Sequence, residues 1–441
     1  MRICLHILLL LSVLMPEAWA QQDEELADSA ESRVSVRFMY HPDHWAKETD
    51  TVRYILEASP DIWYNSYDGL KFGLHVTGGR ADAHHVFNTY LWAHSGVGQY
   101  GLPEGTEPYG FMPLSFIGDY RTSLGSYWRS SAVHLTARAV AGLYGGKVGI
   151  TKGNRKGNIT YGLWFKAMYR PLRNGVPYLL DRQHWDMGRW NNSFTATMDY
   201  RYAYDAGTGE VNVALRSSHL GSDGDYHYLR AEAINRTELW MLKLHSRVFL
   251  QLGYGTDWAS ESLLYLDRAS PEEMADSKFT RSAGIFPAQW AEYGVVQNRF
   301  HHGGGLNLRG YAGYLSPEVR GGEVIMAYSG AHGAAVNLEL EFDRLLGSDK
   351  WPLRKWLRLN TYFFGDAGLI SISAPDAAPV FAMPRADAGV GLALTVRQWG
   401  PIAKLKPLTV RFDMPFFVSR PAALQPDPWG FRWVLGVGRT F

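Results

Sequence analysis

The feature that most constrains this chain is a two-residue alternation, repeated along most of its length, in which one parity is apolar and the other polar or charged. Val133, Leu135, Ala137, Ala139, Ala141 and Leu143 oppose His134, Thr136 and Arg138. Ile159, Tyr161, Leu163, Phe165, Ala167 and Tyr169 oppose Thr160, Lys166 and Arg170, and Leu242, Leu244, Val248, Leu250 and Leu252 oppose Lys243, His245, Arg247 and Gln251. Side chains of a strand point to its two faces in turn, so each set shares one face of a sheet. A soluble sandwich alternates as well, with its apolar face turned to a core. Here the charged faces are too many and too regular for that. In a barrel embedded in lipid they would line a wet interior.

The N-terminus agrees with export. Arg2, an apolar run over Ile7–Met15 and Ala18-Trp19-Ala20 before Gln21 read as a cleaved signal peptide over residues 1–20. The run is too short to span a membrane as a helix. The single cysteine, Cys4, falls inside that signal, which excludes a disulfide scaffold and cysteine metal sites in the mature chain. Lys and Arg number 44 against 43 Asp and Glu, so no basic excess points to nucleic acid. Trp and Tyr gather at segment ends (Trp63 and Tyr64, Tyr254 and Trp258, Trp351 and Trp356, Trp399, Trp429), as interfacial girdles place them.

The expected fold is therefore all-β: a 16-stranded antiparallel transmembrane β-barrel over residues 61–441, preceded by a short periplasmic segment over 21–60. Nine strands are expected before residue 255, beginning near Asp68, with two weakly patterned ones at Leu263–Asp267 and Pro287–Gln297. Five clear ones follow near 334–345, 356–370, 385–398, 407–419 and 430–441. An even count puts both ends on the periplasmic side. On this count the connection 95–112 is a periplasmic turn, and it is long for one.

Between the weak region and the five clear strands lies Gly303-Gly304-Gly305-Leu306-Asn307-Leu308-Arg309-Gly310-Tyr311. Glycines allow a long loop to fold back and approach other backbone closely, which can carry the Arg309 cation into an enclosed space. Leu308-Arg309-Gly310-Tyr311 resembles the RGF/RGY loop of the BamA–TamA–FhaC superfamily, the bacterial surface antigen barrels. Leu340-Glu341-Phe342 resembles the LEF of the next strand, and Phe363-Phe364-Gly365-Asp366-Ala367-Gly368 the F-x-D-x-G of the strand after it. Val437-Gly438-Arg439-Thr440-Phe441 looks like the closing strand, with Gly436, Gly438 and a terminal Phe441.

The resemblance implies an extracellular loop folded into the barrel, with Gly305, Arg309, Gly310 and Tyr311 as its motif and Glu341 and Asp366 as the carboxylate partners of the arginine. Parity gives an independent check. With Val336, Leu338, Leu340 and Phe342 outward, Asn337, Glu339 and Glu341 face inward, and Asp366 shares the inward parity of Arg358 and Asn360. A one-residue slip would turn all of these to lipid. In the last segment the outward set Phe431, Trp433, Leu435, Val437 and Phe441 is interrupted by Arg439.

What the resemblance implies about function is assembly, insertion or translocation of proteins, or of lipids, at the bacterial outer membrane. The surroundings would be outer-membrane lipids and lipopolysaccharide, with a periplasmic or lipoprotein partner and an unfolded client protein. No cofactor, metal or nucleic acid is called for, and no enzymatic activity. The forty residues before the barrel cannot hold the POTRA domains of typical members, so the expectation is a lineage lacking them. Two alternatives stand beside this reading. A passive solute channel would also need a charged interior. A barrel hydrolase would need a catalytic constellation, and no linear motif supplies one: there is no Gly-x-Ser-x-Gly elbow to accompany His302-Gly303-Gly304-Gly305, and no His-Glu-x-x-His. His301-His302 and His84-His85 read as solvated loop histidines.

Overall fold

The computed structural model describes residues 34–38, 54–65, 68–80, 85–97, 114–125, 128–171, 185–276, 300–346, 352–372, 378–397, 408–421 and 426–441. The predicted signal peptide and the expected strand at Pro287–Gln297 lie outside the described residues.

The first half of the chain contributes β1 (Val34–Phe38), β2 (Tyr54–Asn65), β3 (Gly69–Gly79), β4 (Val86–His94), β5 (Leu114–Ser123) and β6 (Ser131–Val140). It continues with β7 (Leu143–Gly153), β8 (Ile159–Tyr169), β9 (Trp190–Tyr204), β10 (Gly207–Ser218), β11 (Asp225–Leu239) and β12 (Leu242–Asp257). A stretch of short elements follows: β13 (Leu264–Tyr265), helix α1 (Pro271–Ala275), β14 (Phe300–His301), β15 (Pro317–Arg320), β16 (Glu323–Met326) and β17 (Ser329–Gly330). The wall resumes with β18 (Gly333–Glu341), β19 (Leu357–Ile370), β20 (Arg385–Val396), β21 (Leu408–Val418) and β22 (Val434–Val437). Eighteen of these form one sheet. From β2 to β12 each strand pairs antiparallel with its chain neighbour, β12 pairs with β18, and the antiparallel order runs on to β22. β1 joins the edge of β2 and β14 the edge of β22, both parallel. Among the described residues no pairing joins β22 to β1 or β2.

Alternation here is inside out. Leu163, Leu215, Val248 and Phe363 are 55%, 58%, 53% and 54% exposed on the outer face. On the inner face Arg247, Asn337, Glu339 and Asp413 are at most 3% exposed. Among the described residues, what buries the inner face is residues 258–276 and 300–332, which lie against it. One apolar cluster joins Val140, Leu143 and Met168 of β6–β8 to Ala269, Met274 and Phe300 of that segment, with Val437 of β22 packed against it. Early strands and the last strand meet the same segment, so the sheet curls around it.

Three expectations are corrected. The wall starts at Tyr54 rather than residue 61, and eleven antiparallel strands, β2–β12, precede residue 258 where nine were expected. β2 was obscured by Pro60, which breaks the strand pattern; it lies beyond the stretch Tyr54–Ala58 that β1 pairs with, where β2 has a single partner. β7 was obscured by its glycines. Gly149 is required by contact: a Cβ there would sit 2.1 Å from the Trp164 ring that lies over it. The expected strand at Leu263–Asp267 is not part of the wall. Only Leu264 and Tyr265 form a strand there, and they pair with β17 in a separate two-stranded ribbon. With β2 in place, the connection 95–113 leaves the same end of the sheet as 170–189 and 258–332, the other two longest connections, which removes the anomaly of a long turn at the end where the chain starts.

Candidate functional site

The infolded segment is held by its own backbone first. Leu306 N–H donates to Tyr265 O at 2.9 Å and Leu308 N–H to Leu266 O at 3.1 Å. Gly305 has φ +57 and Asn307 φ +62; a Cβ on Gly305 would fall 2.3 Å from Arg268 O, so only glycine fits. Leu306, Leu308 and Tyr311 are buried with Phe249, Ala335, Ile370 and Val418 of the wall, each leucine contributing about 1.5–3 kcal/mol by area.

This packing delivers Arg309, fully buried, to the inner face. Its Nε and Nη2 donate to the two oxygens of Asp366 at 2.8 and 3.1 Å, a fork-to-carboxylate pair, and its Nη1 donates to Glu339 Oε1 at 2.8 Å. Asp413 Oδ1 lies 3.8 Å from Nη1, and the guanidinium carbon sits 4.2 Å from the centre of the Phe364 ring. Asn337 secures the arrangement: its Nδ2 donates to Asp366 Oδ1 at 3.0 Å and its Oδ1 accepts from Arg247, which also donates to Gly305 O at 2.8 Å. Gly310 passes so close to β20 that a Cβ would meet that of Asp387 at 2.6 Å. Tyr311 reaches the β21–β22 connection, its hydroxyl accepting from Arg420 N–H at 3.1 Å and lying 3.0 Å from Ser419 Oγ.

Of the two carboxylates named from the sequence, Asp366 meets Arg309 and Glu341 does not. The β18 partner is Glu339, one step along the same face. Glu341 instead takes Arg439 at 2.8 Å and stands 3.4 Å from His245 Nε2. Arg439 bridges Glu341 and Glu339, the latter also at 2.8 Å, and so points inward. The expected outward run to Phe441 is broken because β22 ends at Val437 and Gly438 adopts φ +86, which reverses the parity. Gly436 faces inward under the Arg411 side chain, 2.4 Å from where its Cβ would be.

His301 is also corrected: it is fully buried, not solvated. Arg411 Nη2, which can only donate, is 2.7 Å from His301 Nδ1, and Nε2 lies 2.7 Å from Asp267 O. The ring is therefore neutral, with its proton on Nε2. Arg411 also pairs with Asp413, whose Oδ1 accepts from Tyr362 OH at 2.5 Å.

A second grip, of opposite sign, was not read from the sequence. Ser270 and Glu273 form a reciprocal capping box that starts the one-turn helix α1 after β13. Its carboxylates meet a basic stretch of wall. Glu272 takes Lys166 of β8 at 2.6 Å and Arg216 of β10 at 2.9 Å, Glu273 takes Arg230 of β11 at 2.6 Å, and Asp276 takes Arg138 of β6. Burial alone would raise the Glu272 carboxyl, but Arg216 and Lys166 hold it well below the usual range. Lys147 and Lys166 are direct cross-strand partners, a like-charge pair that needs an anion beside it. Nearby Glu261, in a 3-10 turn of the same segment, has no cation beside it among the described residues; burial pushes it up to about 7 although Asn191 Nδ2 and Asp186 N–H donate to it at 2.7 and 3.1 Å. The signal in the sequence was Pro-Glu-Glu-Met-Ala-Asp in the weakly patterned region, opposite strands whose inner residues are cationic.

With this geometry in view, the similarities are these. No family model matches the chain, and no curated protein does. Among solved structures it is similar to BamA from Haemophilus ducreyi lacking POTRA domains 1-3, with 14% identity, TM-score 0.38, 90% of this chain and 74% of that one. It is similar to CdiB from Acinetobacter baumannii, with 10% identity, TM-score 0.35 and 83% of this chain, and spans about half of that protein, 52%. It is similar to OccD1 (OprD), with 10% identity, TM-score 0.38, 87% of this chain and 91% of that one. At such scores these similarities say no more than which barrels it is like.

Proposed function

We propose that the chain is a closed sixteen-stranded barrel of the bacterial outer membrane, with residues 258–276 and 300–332 folded in from the cell surface, and that it assembles, inserts or translocates polypeptide there. The observation that carries this is the arginine clamp: Arg309, buried on an infolded loop, gripped by Asp366 and Glu339 of adjacent strands. Such a clamp fixes a long loop against the wall beside β21 and β22, where β22 is only four residues long and its outer neighbour is the two-residue β14. A short, poorly paired last strand is one that can part from its neighbours, and a fixed loop beside it keeps the barrel standing when it does. Exposed apolar side chains outside and paired charges inside support the membrane reading, because a charge turned to the bilayer centre costs about 2.5–3.5 kcal/mol on insertion scales.

A passive channel is less well supported, since the inner face is covered by the infolded segment. The experiment is depletion of the protein followed by an outer-membrane proteome, with crosslinking in native membranes. Loss of a defined set of membrane proteins that crosslink through β22 supports the proposal. An unchanged proteome together with steady ion conductance of the purified protein replaces it with a channel.

A further inference from the structure

On the outer face, at the end where the infolded segment leaves the wall, three side chains separated in sequence come together. Ser217 of β10 and His227 of β11 are direct cross-strand partners, with Ser217 Oγ 2.8 Å from His227 Nδ1. On the far side of the ring, His227 Nε2 is 3.5 Å from Asp225 Oδ1, a looseness ordinary for such a group without substrate. The other Asp225 oxygen accepts from Thr256 Oγ1 of β12 at 3.0 Å, which fixes the carboxylate. Parity leaves no doubt about the face: Arg216, Ser218, Tyr226 and Tyr228 are the buried inward residues on either side. His227 and Asp225 are both well exposed, their side chains 42% and 59% accessible.

The surroundings match a lipid ester. Leu215, Leu229 and Leu252 are exposed on the outer face and stand in one cross-strand row, a step further from the rim than the histidine. Tyr254, also exposed, is the cross-strand partner of His227. Polar rim, aromatic ring, then leucines is the order of a membrane boundary. An acyl chain lying along the leucine row would bring its ester to the level of Ser217.

We propose that Ser217, His227 and Asp225 form a serine hydrolase site on the barrel exterior, acting on acyl esters of membrane lipids. Ser217 Oγ adds to the ester carbonyl as its proton passes to His227 Nδ1. Collapse of the adduct expels the lipid alcohol, which takes that proton and leaves the acyl group on Ser217. Water then attacks the acyl-enzyme, giving one proton to His227, and the carboxylic acid leaves as Oγ recovers its proton. Asp225 touches no substrate; it is a positioning residue that orients the ring and balances the charge it gains.

The test uses the full-length protein in detergent micelles and in phosphatidylethanolamine vesicles. A fluorophosphonate probe is expected to label wild type and not Ser217→Ala, and fatty acid release is expected to fall on the order of 10³-fold or more in Ser217→Ala and His227→Ala. Asp225→Asn is expected to lower kcat with KM unchanged, and Asp225→Glu to restore part of it. The three side chains lie outside the core, so folded protein is expected from each of the four variants, checked by the mobility of unheated sample in SDS gels. Equal labelling and equal release by wild type and Ser217→Ala overturn the proposal. Because the probe reads the serine alone, that result is distinct from a failure of the assembly function proposed above.

Discussion

The clamp can be tested by removing its cation. In Arg309→Met the side-chain volume is kept, but Asp366 loses both of its guanidinium hydrogen bonds and Glu339 loses one, keeping Arg439. Arg309, Asp366 and Glu339 are all at most 2% exposed, so water cannot step in. Breaking a buried pair by deleting one partner costs about 3–5 kcal/mol; here Asp366 is left without its cation while Glu339 keeps Arg439. We expect about 4 kcal/mol, a factor of roughly 10³ in the folding equilibrium. Arg309→Lys keeps the charge without the fork and should lose about half of that. The assay is urea unfolding in lipid vesicles, followed by tryptophan fluorescence and by the gel mobility of unheated sample. The double variant Arg309→Met/Asp366→Asn, which removes the stranded charge, should regain at least about 1 kcal/mol over Arg309→Met. Arg309→Met within about 0.5 kcal/mol of wild type, the ordinary scatter of surface changes, would refute the reasoning.

Other consequences are as direct. Asp366 and Asp387 face each other across β19 and β20 with the cation committed to Asp366, so Asp387→Asn should be neutral or stabilising while Asp366→Asn destabilises, as the same urea titration reports. Gly391→Leu should cost at least about 1–3 kcal/mol by overpacking, because a Cβ there would lie 2.2 Å from the Tyr362 ring; a wild-type midpoint would mean the ring is free to move. Glu261 holds its proton more tightly when folded, at about 7 against an ordinary 4.5. Its contribution to stability is therefore greatest at acid pH and falls as pH rises through that window; Glu261→Gln should flatten the slope in pH-dependent unfolding.

Period-two alternation is a local property, which is why the inward parity of Glu339, Glu341 and Asp366 was legible without any knowledge of the fold. The choice between Glu339 and Glu341 was not. They share a face about 7 Å apart along the strand, and which one Arg309 meets depends on how deep the infolded segment sits, a matter settled by Leu306, Leu308 and the wall they pack on. β2 and β7 were missed because Pro60 and a run of glycines imitate breaks, although Gly149 is there to admit Trp164. The inward turn of Arg439 depends on one positive φ at Gly438, which alternation cannot foresee. Ser217, Asp225 and His227 carry no linear motif at all; they meet only once the register of β10 and β11 is known.

The infolded segment also lies between the two parts of the wall, β2–β12 before it and β18–β22 after it, and this bears on how the chain finds its shape. Arg309 reaches Glu339 across 30 positions, and Asp276 reaches Arg138 across 138. Both halves of the wall can thus collect on a central strip without first searching for each other. Loop entropy grows only slowly with length, but each of those separations is far shorter than the span from β2 to β22. A chain laid out this way can gather its strands on that strip from both sides, before its first and last strands are placed.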